Sequence, residues 1–103
     1  MANPDDQIQL CCLLWAHPGQ EAALTAYEDQ VLKLLPEHGG TVVQRAVSDG
    51  TEGRPHEVQL FRFESQGGLD SYLADPRRTA LEKERDRVVA GTEVFPVELL
   101  PGT

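Results

Sequence analysis

The sequence of 103 residues contains few of the residues that build covalent or metal-centred sites. Its two cysteines, Cys11 and Cys12, are neighbours. Adjacent strand residues point to opposite faces, which disfavours a disulfide between them, and the Cys-x-x-Cys spacing of redox and metal sites is absent. We therefore expect two reduced, buried thiols, as in a cytoplasmic protein.

The motifs of several enzyme classes are also missing. The three histidines, His17, His38 and His56, fall on separate predicted elements and lack the spacing of metal ligands. No serine occurs in the Gly-x-Ser-x-Gly turn of serine hydrolases. Gly50 and Gly53 belong to a predicted hairpin connection, whereas phosphate-binding glycines lie in a strand-to-helix turn. The sequence accordingly predicts neither a bound metal nor an organic cofactor.

Positive charge is scarce, since nine Lys and Arg residues stand against seventeen Asp and Glu, for a net charge of −8. Such a surface repels phosphate backbones and anionic lipids, so neither nucleic acid nor membrane is an expected partner. No apolar run approaches the roughly 20 residues of a transmembrane helix. The first residues lack the basic and apolar regions of a signal peptide, which favours a cytoplasmic location.

The pattern of apolar residues predicts one domain over residues 8–100, between a disordered tail at 1–7 and a short tail at 101–103. The segment from Ile8 to Ala16 is a predicted strand that is apolar on both faces. Such a strand belongs in the middle of a sheet that is covered above and below. Helices of the same chain can cover one face, and the other face needs a second sheet, plausibly from another chain.

The remaining elements follow from caps, turns and periodicity. They are a helix from His17-Pro18 to Pro36, strands at 41–48 and 56–64, a helix capped by Ser65 and broken at Asp75-Pro76, and a last strand at 92–100. Pro96 cannot donate a ladder hydrogen bond, so the last strand is expected at an edge or a bulge. The order βαββαβ predicts an α+β, ferredoxin-like sandwich with a four-stranded antiparallel sheet. Whether Phe61 and Phe63 or Val58 and Leu60 face the helices is left open.

In this arrangement the chain resembles the dimeric α/β-barrel superfamily, especially its small DUF1330-like proteins and antibiotic-biosynthesis-type monooxygenases. The residues that carry the resemblance are the third strand from Val58 to Ser65, Tyr27, Leu69, Tyr72, Asp75-Pro76 before Ala80-Leu81, and Phe95. The resemblance implies a homodimer whose two sheets pack face to face into a barrel. Members include cofactor-free oxygenases of polyphenolic substrates, cyclases, isomerases and haem-degrading enzymes. No haem-ligand arrangement is apparent in this sequence.

A cofactor-free site for a phenolic acid or ketone needs a proton acceptor, a cation for the developing enolate and aromatic walls. His17, at a strand end, is the candidate base, and Arg45 or Arg62 would stabilise the oxyanion. Trp15, Tyr27 and Tyr72 would line the pocket between sheet and helices. Each residue has a structural alternative, namely core packing for the aromatics, a solvated position for His17 and an ion pair for Arg62.

Two functions therefore compete. The first is a small cofactor-independent enzyme, of monooxygenase, cyclase or isomerase type, that acts on an aromatic or polyketide-like molecule. The second is a non-catalytic homodimer that binds a small molecule or serves in assembly. The resemblance favours the first, and the absence of a catalytic motif favours the second.

Overall fold

The structure is a computed structural model that describes residues 7–102. The tails predicted at either end lie outside the described residues at positions 1–6 and at Thr103. The strands are β1 (Ile8–Ala16), β2 (Gly40–Val47), β3 (Glu57–Phe63) and β4 (Val89–Pro96). The helices are α1 (Glu21–Leu32), α2 (Gln66–Leu73), α3 (Pro76–Thr79) and α4 (Glu82–Val88), with 3-10 turns at Leu35–His38 and Thr51–Gly53.

The four strands form one antiparallel sheet in the order β2-β3-β1-β4. The apolar strand β1 lies in the interior of the sheet, and β4, which ends at Pro96, lies at an edge. Both positions were predicted from the sequence. The helical segments connect β1 to β2 and β3 to β4, so the predicted ferredoxin-like order is confirmed.

The register of β1 and β3 shows which side chains share a face. Leu10 pairs with Phe61 and Cys12 with Gln59, and these residues are buried. Residues on this side of the sheet belong to a hydrophobic core cluster that also includes helix residues such as Leu24. We call this side of the sheet the covered face. Phe61 and Phe63 therefore face the helices, which resolves the alternative left open by the sequence.

The other side of the sheet contributes no residue to that core cluster. We call it the open face. Its members, by register, include Gln9, Cys11 and Leu13 of β1, Val58, Leu60 and Arg62 of β3, and Phe95 of β4. Within the described residues, β1 is thus apolar on both faces, but helices cover only one of these faces.

Helix α1 and strand β4 end at Leu32 and Pro96, before the predicted ends at 36 and 100, and their starts differ as well. Helix α1 begins at Glu21 because Gly19, with φ of +80°, forms a turn in the left-handed region that glycine favours. Strand β4 begins at Val89, directly after α4, whereas the sequence predicted its start at position 92, so Gly91 lies within the strand. Gly91 pairs with Trp15, whose side chain lies against it.

The second helical region is broken at Asp75-Pro76, as predicted, and again near Leu81. Ser65 Oγ accepts a hydrogen bond from the Gly68 N–H and caps α2. The Asp75 carboxylate accepts from the Arg77 N–H and caps α3. Both caps were predicted, and together they fix where the helices begin. No helix within residues 7–102 is long and apolar enough to cross a membrane.

Candidate functional site

A cavity of about 170 Å³ lies between the covered face of the sheet and the helices. Its lining is mostly apolar, with a few polar side chains: Leu10, Cys12, Leu14, Glu28, Leu32, Gln59, Phe61, Phe63, Leu69, Tyr72, Leu73, Arg78, Arg85, Thr92 and Val94. Leu73 and Val94 are exposed, so the cavity opens to solvent between α2 and the edge strand β4. Apolar walls with a few polar groups are typical of small-molecule sites.

The polar groups of the covered face meet at Gln59, whose side chain is fully buried. Its amide Nε2 donates to Glu28 Oε1 at 2.8 Å and to Glu57 Oε2 at 2.7 Å. Glu57 is also fully buried, and its Oε2 accepts a hydrogen bond from Arg45 Nε at 2.7 Å. The charge of Glu57 is therefore balanced by Arg45, while Glu28 receives only the neutral amide.

Burial raises the pKa of the Glu28 carboxyl above its ordinary value, because the charged form loses its hydration. The hydrogen bond from Gln59 opposes this shift, and the nearby charge of Glu57 adds to it. A carboxyl whose pKa lies closer to neutrality is a better proton acceptor and donor at physiological pH. Glu28 is thus the candidate general base among the residues that line the cavity.

The raised pKa of Glu28 predicts that the free energy of unfolding falls as the pH increases above about 4.5, the ordinary glutamate value. The folded state retains a proton that the unfolded chain releases, so this stabilisation is complete below that value and is lost as the pH rises through the folded-state pKa. Chemical denaturation of wild type and Glu28→Gln between about pH 4 and pH 8 measures it. The variant should lack this decline; an equal decline in both proteins would contradict the assignment.

Two arginines and a tyrosine form another wall of the cavity. The guanidinium carbon of Arg78 lies 5.1 Å from the centroid of the Tyr72 ring, within cation–π distance. Arg85 donates from Nη2 to Thr92 Oγ1 at 3.0 Å. Burial raises the pKa of Tyr72 to about 12, although Arg78 opposes the shift, so this phenol stays neutral. The lining of the cavity thus includes two cationic side chains together with the Glu28 carboxyl.

The structure brings only some of the predicted site residues to this cavity. Tyr72 lines it. Tyr27 is buried in the same core cluster but is not among the lining residues. Arg45 does not line this cavity but donates a hydrogen bond to Glu57, which in turn bonds to Gln59. It also donates to Asp29 Oδ1 at 2.6 Å, and these hydrogen bonds raise the pKa of Arg45.

Three other predicted residues lie elsewhere, which corrects the expected placement. Arg62 belongs to the open face, since its neighbours on β3 point to the helices and it pairs with Gln9. Trp15 donates from Nε1 to the Gly53 carbonyl at 2.9 Å, at the end of β1. His17 is exposed beyond that strand, and its backbone N–H bonds to the Val88 carbonyl. The proposed grouping of His17 with Arg62 is therefore not formed within one chain.

The residues that sequence reasoning missed are Glu28, Gln59, Arg78 and Arg85. Two of them had a detectable signal. Glu28 lies between Leu24 and Val31 on the apolar stripe of α1, and Gln59 shares the parity of Phe61 on β3. A polar residue at a position that should be buried is a sign of a functional or structural network. The two arginines come from a region rich in exposed charge and carried no such sign.

A second polar cluster joins the Leu35–His38 turn to α2 and α3. His38 Nδ1 lies 2.7 Å from Ser71 Oγ, and His38 Nε2 lies 2.8 Å from Asp75 Oδ2. Serine, histidine and carboxylate also form hydrolytic triads. Here the Asp75 carboxylate caps α3 and accepts hydrogen bonds from the Arg77 side chain. We therefore interpret this cluster as a structural connection between the Leu35–His38 turn and the helices. Residues 7–102 contain no cluster of three or more His, Cys, Asp or Glu side chains that could hold a metal ion.

Comparison with known proteins connects this geometry to solved structures. No protein-family model matches the chain, and no curated protein does. An antibiotic biosynthesis monooxygenase-like protein from Bacteriodes thetaiotaomicron superimposes with a TM-score of 0.74 at 14% identity, over 98% of this chain and 97% of that one. A dimeric protein of unknown function and ferredoxin-like fold from Bacteroides fragilis gives 0.69 at 8% identity, over 96% and 100%.

The fold is ferredoxin-like. A protein of unknown function from Nitrosomonas europaea is similar too, with a TM-score of 0.63, 25% identity and coverage of 94% and 92%. A nipsnap family protein from Agrobacterium tumefaciens also shares the ferredoxin-like architecture. These similarities establish the architecture of the chain and leave its activity to be inferred from the cavity.

Proposed function

We propose that the chain is a small cofactor-independent enzyme that acts on an aromatic or polyketide-like molecule in the cavity between sheet and helices. The observation that carries the proposal is the buried Glu28 carboxyl, with its raised pKa, in an apolar cavity walled by Arg78 and Arg85. The likeness in fold to an antibiotic biosynthesis monooxygenase-like protein supports it.

The chemistry follows from these groups. Glu28 removes a proton from a carbon next to a carbonyl, and the negative charge of the resulting enolate moves onto oxygen, where the arginines stabilise it. In a cyclase or isomerase, the enolate carbon forms a new bond or regains the proton elsewhere. In a monooxygenase, the enolate itself reduces O₂, so that a CH₂ carbon becomes a carbonyl and the second oxygen atom leaves as water.

A turnover screen over a panel of candidate substrates tests this function. The protein is incubated with enolisable hydroxyaryl ketones, anthrones and β-diketones, and oxygen uptake and product spectra are recorded in air and under nitrogen. We expect conversion of at least one compound, with or without oxygen demand according to the reaction type. Binding without conversion across the whole set would contradict the enzyme.

We further propose that the chain forms a homodimer through the open face. Leu13 and Leu60 lie there beside Cys11, and Phe95 on the adjacent strand is 40% exposed in the single chain. Apolar area of this kind on one face of a sheet marks an interaction surface. The dimeric description of the Bacteroides fragilis protein supports a second copy as the partner.

Leu60→Glu is expected to convert this dimer to a monomer, because two copies of the variant would bury carboxylates against each other. Leu73→Glu is the matched control, since Leu73 is exposed on α2 at the other side of the sheet. Light scattering after size exclusion should give twice 11.4 kDa for wild type and control, and 11.4 kDa for Leu60→Glu. A wild-type monomer would contradict the interface.

The second candidate function is a non-catalytic homodimer that binds a small molecule. The observation that favours it is the state of Cys12, the thiol that lines the cavity. Burial, and to a smaller extent the charge of Glu28, raises the pKa of the Cys12 thiol to about 12. The thiol therefore stays protonated, and it lines the cavity without acting as a nucleophile. Binding of an aromatic molecule without turnover, and without effect of Glu28→Gln, would favour this candidate.

A further inference from the structure

The open face of the sheet carries one basic and one acidic strand residue. Arg62 on β3 belongs to this face because it pairs with Gln9 of β1. Glu93 on β4 belongs to it because it pairs with Leu13 of β1. Arg62 is half-buried and Glu93 is exposed, and neither side chain forms an ion pair among residues 7–102.

The other strand positions of the open face carry neutral side chains, from Thr41 on β2 to Phe95 on β4. A charged side chain that is buried in an interface costs free energy unless an opposite charge meets it. The proposed homodimer would bury this face, so Arg62 and Glu93 each need a partner of the opposite sign there.

These two side chains lie too far apart to meet within one chain. Cys11 forms a row across the sheet with Leu60 of β3 and Phe95 of β4. Arg62 lies two residues beyond this row towards one end of the sheet, and Glu93 lies two residues beyond it towards the other end. At about 3.4 Å per residue and about 4.8 Å between strands, their Cα atoms are roughly 17 Å apart.

The same register places Cys11 midway between the two charges. A two-fold axis that runs between two facing sheets, over Cys11 and at right angles to the line from Arg62 to Glu93, sets each charge opposite the other. Facing sheets lie about 10 Å apart, a gap that one arginine and one glutamate side chain span together. The contact occurs twice, because a two-fold interface uses the same surface on both subunits. Leu60 and Phe95 then pack at its centre.

We propose that Arg62 of each subunit forms an ion pair with Glu93 of the partner subunit, and that these two pairs fix the orientation of one sheet on the other. This inference rests on the proposed homodimer and names its charged contacts and the position of its axis. A second copy is the partner that this face fits, because the face carries both halves of the pair on opposite sides of its centre.

Charge reversal at either position tests the pairing. Arg62→Glu brings two carboxylates together at both contacts, and Glu93→Arg brings two guanidinium groups together. Each variant should raise the dissociation constant of the homodimer by about 100-fold or more, at about tenfold or more for each of the two lost pairs. Sedimentation equilibrium measures this constant. Lys83→Glu is the control, because Lys83 is exposed on α4 and undergoes the same change of charge on the other side of the sheet.

Combining the two reversals separates pairing from a general loss of the interface. An equimolar mixture of Arg62→Glu and Glu93→Arg should form a heterodimer with nearly the wild-type dissociation constant, because every reversed position then faces its opposite charge. Native mass spectrometry identifies the heterodimer by its mass. The double variant Arg62→Glu/Glu93→Arg should likewise form a homodimer. A variant that merely fails to fold would not be restored by mixing.

The outcomes distinguish the ion pairs from the homodimer itself. If either single variant dimerises as tightly as wild type, or if neither combination restores the dimer, the pairing is overturned, while a wild-type dimer leaves the proposed homodimer standing. A wild-type monomer overturns both. The catalytic proposal is tested separately by the turnover screen, since Arg62 and Glu93 do not line the cavity.

Discussion

Replacing Gly68 by alanine is expected to destabilise the protein by about 3 kcal/mol, although alanine is the better helix former. A Cβ atom on Gly68 would lie well inside 3.0 Å of the His38 carbonyl oxygen, closer than real Cβ atoms approach their neighbours. That oxygen belongs to the backbone and cannot rotate away. Helix α2 would therefore have to move from the Leu35–His38 turn and disturb the joint between His38 and Asp75.

Gly67 provides the matched control, one residue earlier in the same turn of the helix. A Cβ atom there meets only Ser65 Oγ at 3.7 Å, which is ordinary contact. Gly67→Ala should therefore stabilise the protein by up to about 1 kcal/mol, because alanine restricts the unfolded chain and favours helix. Urea denaturation of both variants measures the difference. A Gly68→Ala protein as stable as wild type would show that α2 does not pack against the turn as described.

Glu28→Gln is expected to lower the turnover of a substrate found in the screen by about 10²- to 10⁴-fold, the range for losing a general base. The amide has nearly the shape of the carboxyl, and its oxygen can still accept the hydrogen bond from Gln59. Binding should change little, so the loss should appear in kcat with KM nearly constant. Steady-state kinetics on the folded variant measure it.

Two further variants make this result specific. Glu21→Gln alters an exposed carboxylate on the same helix and should leave kcat unchanged. His17→Ala tests the base predicted from the sequence; because His17 is exposed and outside the cavity lining, it should also have no effect. Loss of activity in His17→Ala with full activity in Glu28→Gln would contradict the assignment of Glu28. His17, the base predicted from the sequence, would then be the general base.

The architecture was predictable because local signals and the apolar pattern agreed. A strand apolar on both faces had to lie inside the sheet, and β1 does. Ser65 and Asp75 are favourable caps, and each accepts the expected backbone hydrogen bond. The start of β4 was missed because glycine is a common helix terminator in sequence, whereas in the fold Gly91 lies within β4 and pairs with Trp15.

The site was less predictable because it depends on strand parity and on contacts between distant residues. The sequence could not show whether Arg62 or its neighbours face the helices, and one register decision moves it to the other face of the sheet. Gln59 meets Glu28 across 31 positions of the chain. Both residues are polar residues at positions expected to be buried. This pattern indicates that a polar network exists, but it does not identify the other residues of the network.

The most direct test of a binding site on the covered face is methyl NMR during titration with 3-hydroxyacetophenone. Leu10, Leu14 and Leu69 line the cavity, whereas Leu13, Val58 and Leu60 serve as the internal reference on the open face. The account predicts shifts of the first group at concentrations that leave the second unchanged. Shifts confined to the open-face methyls would contradict it, because the small-molecule site would then lie on the surface assigned to the second subunit.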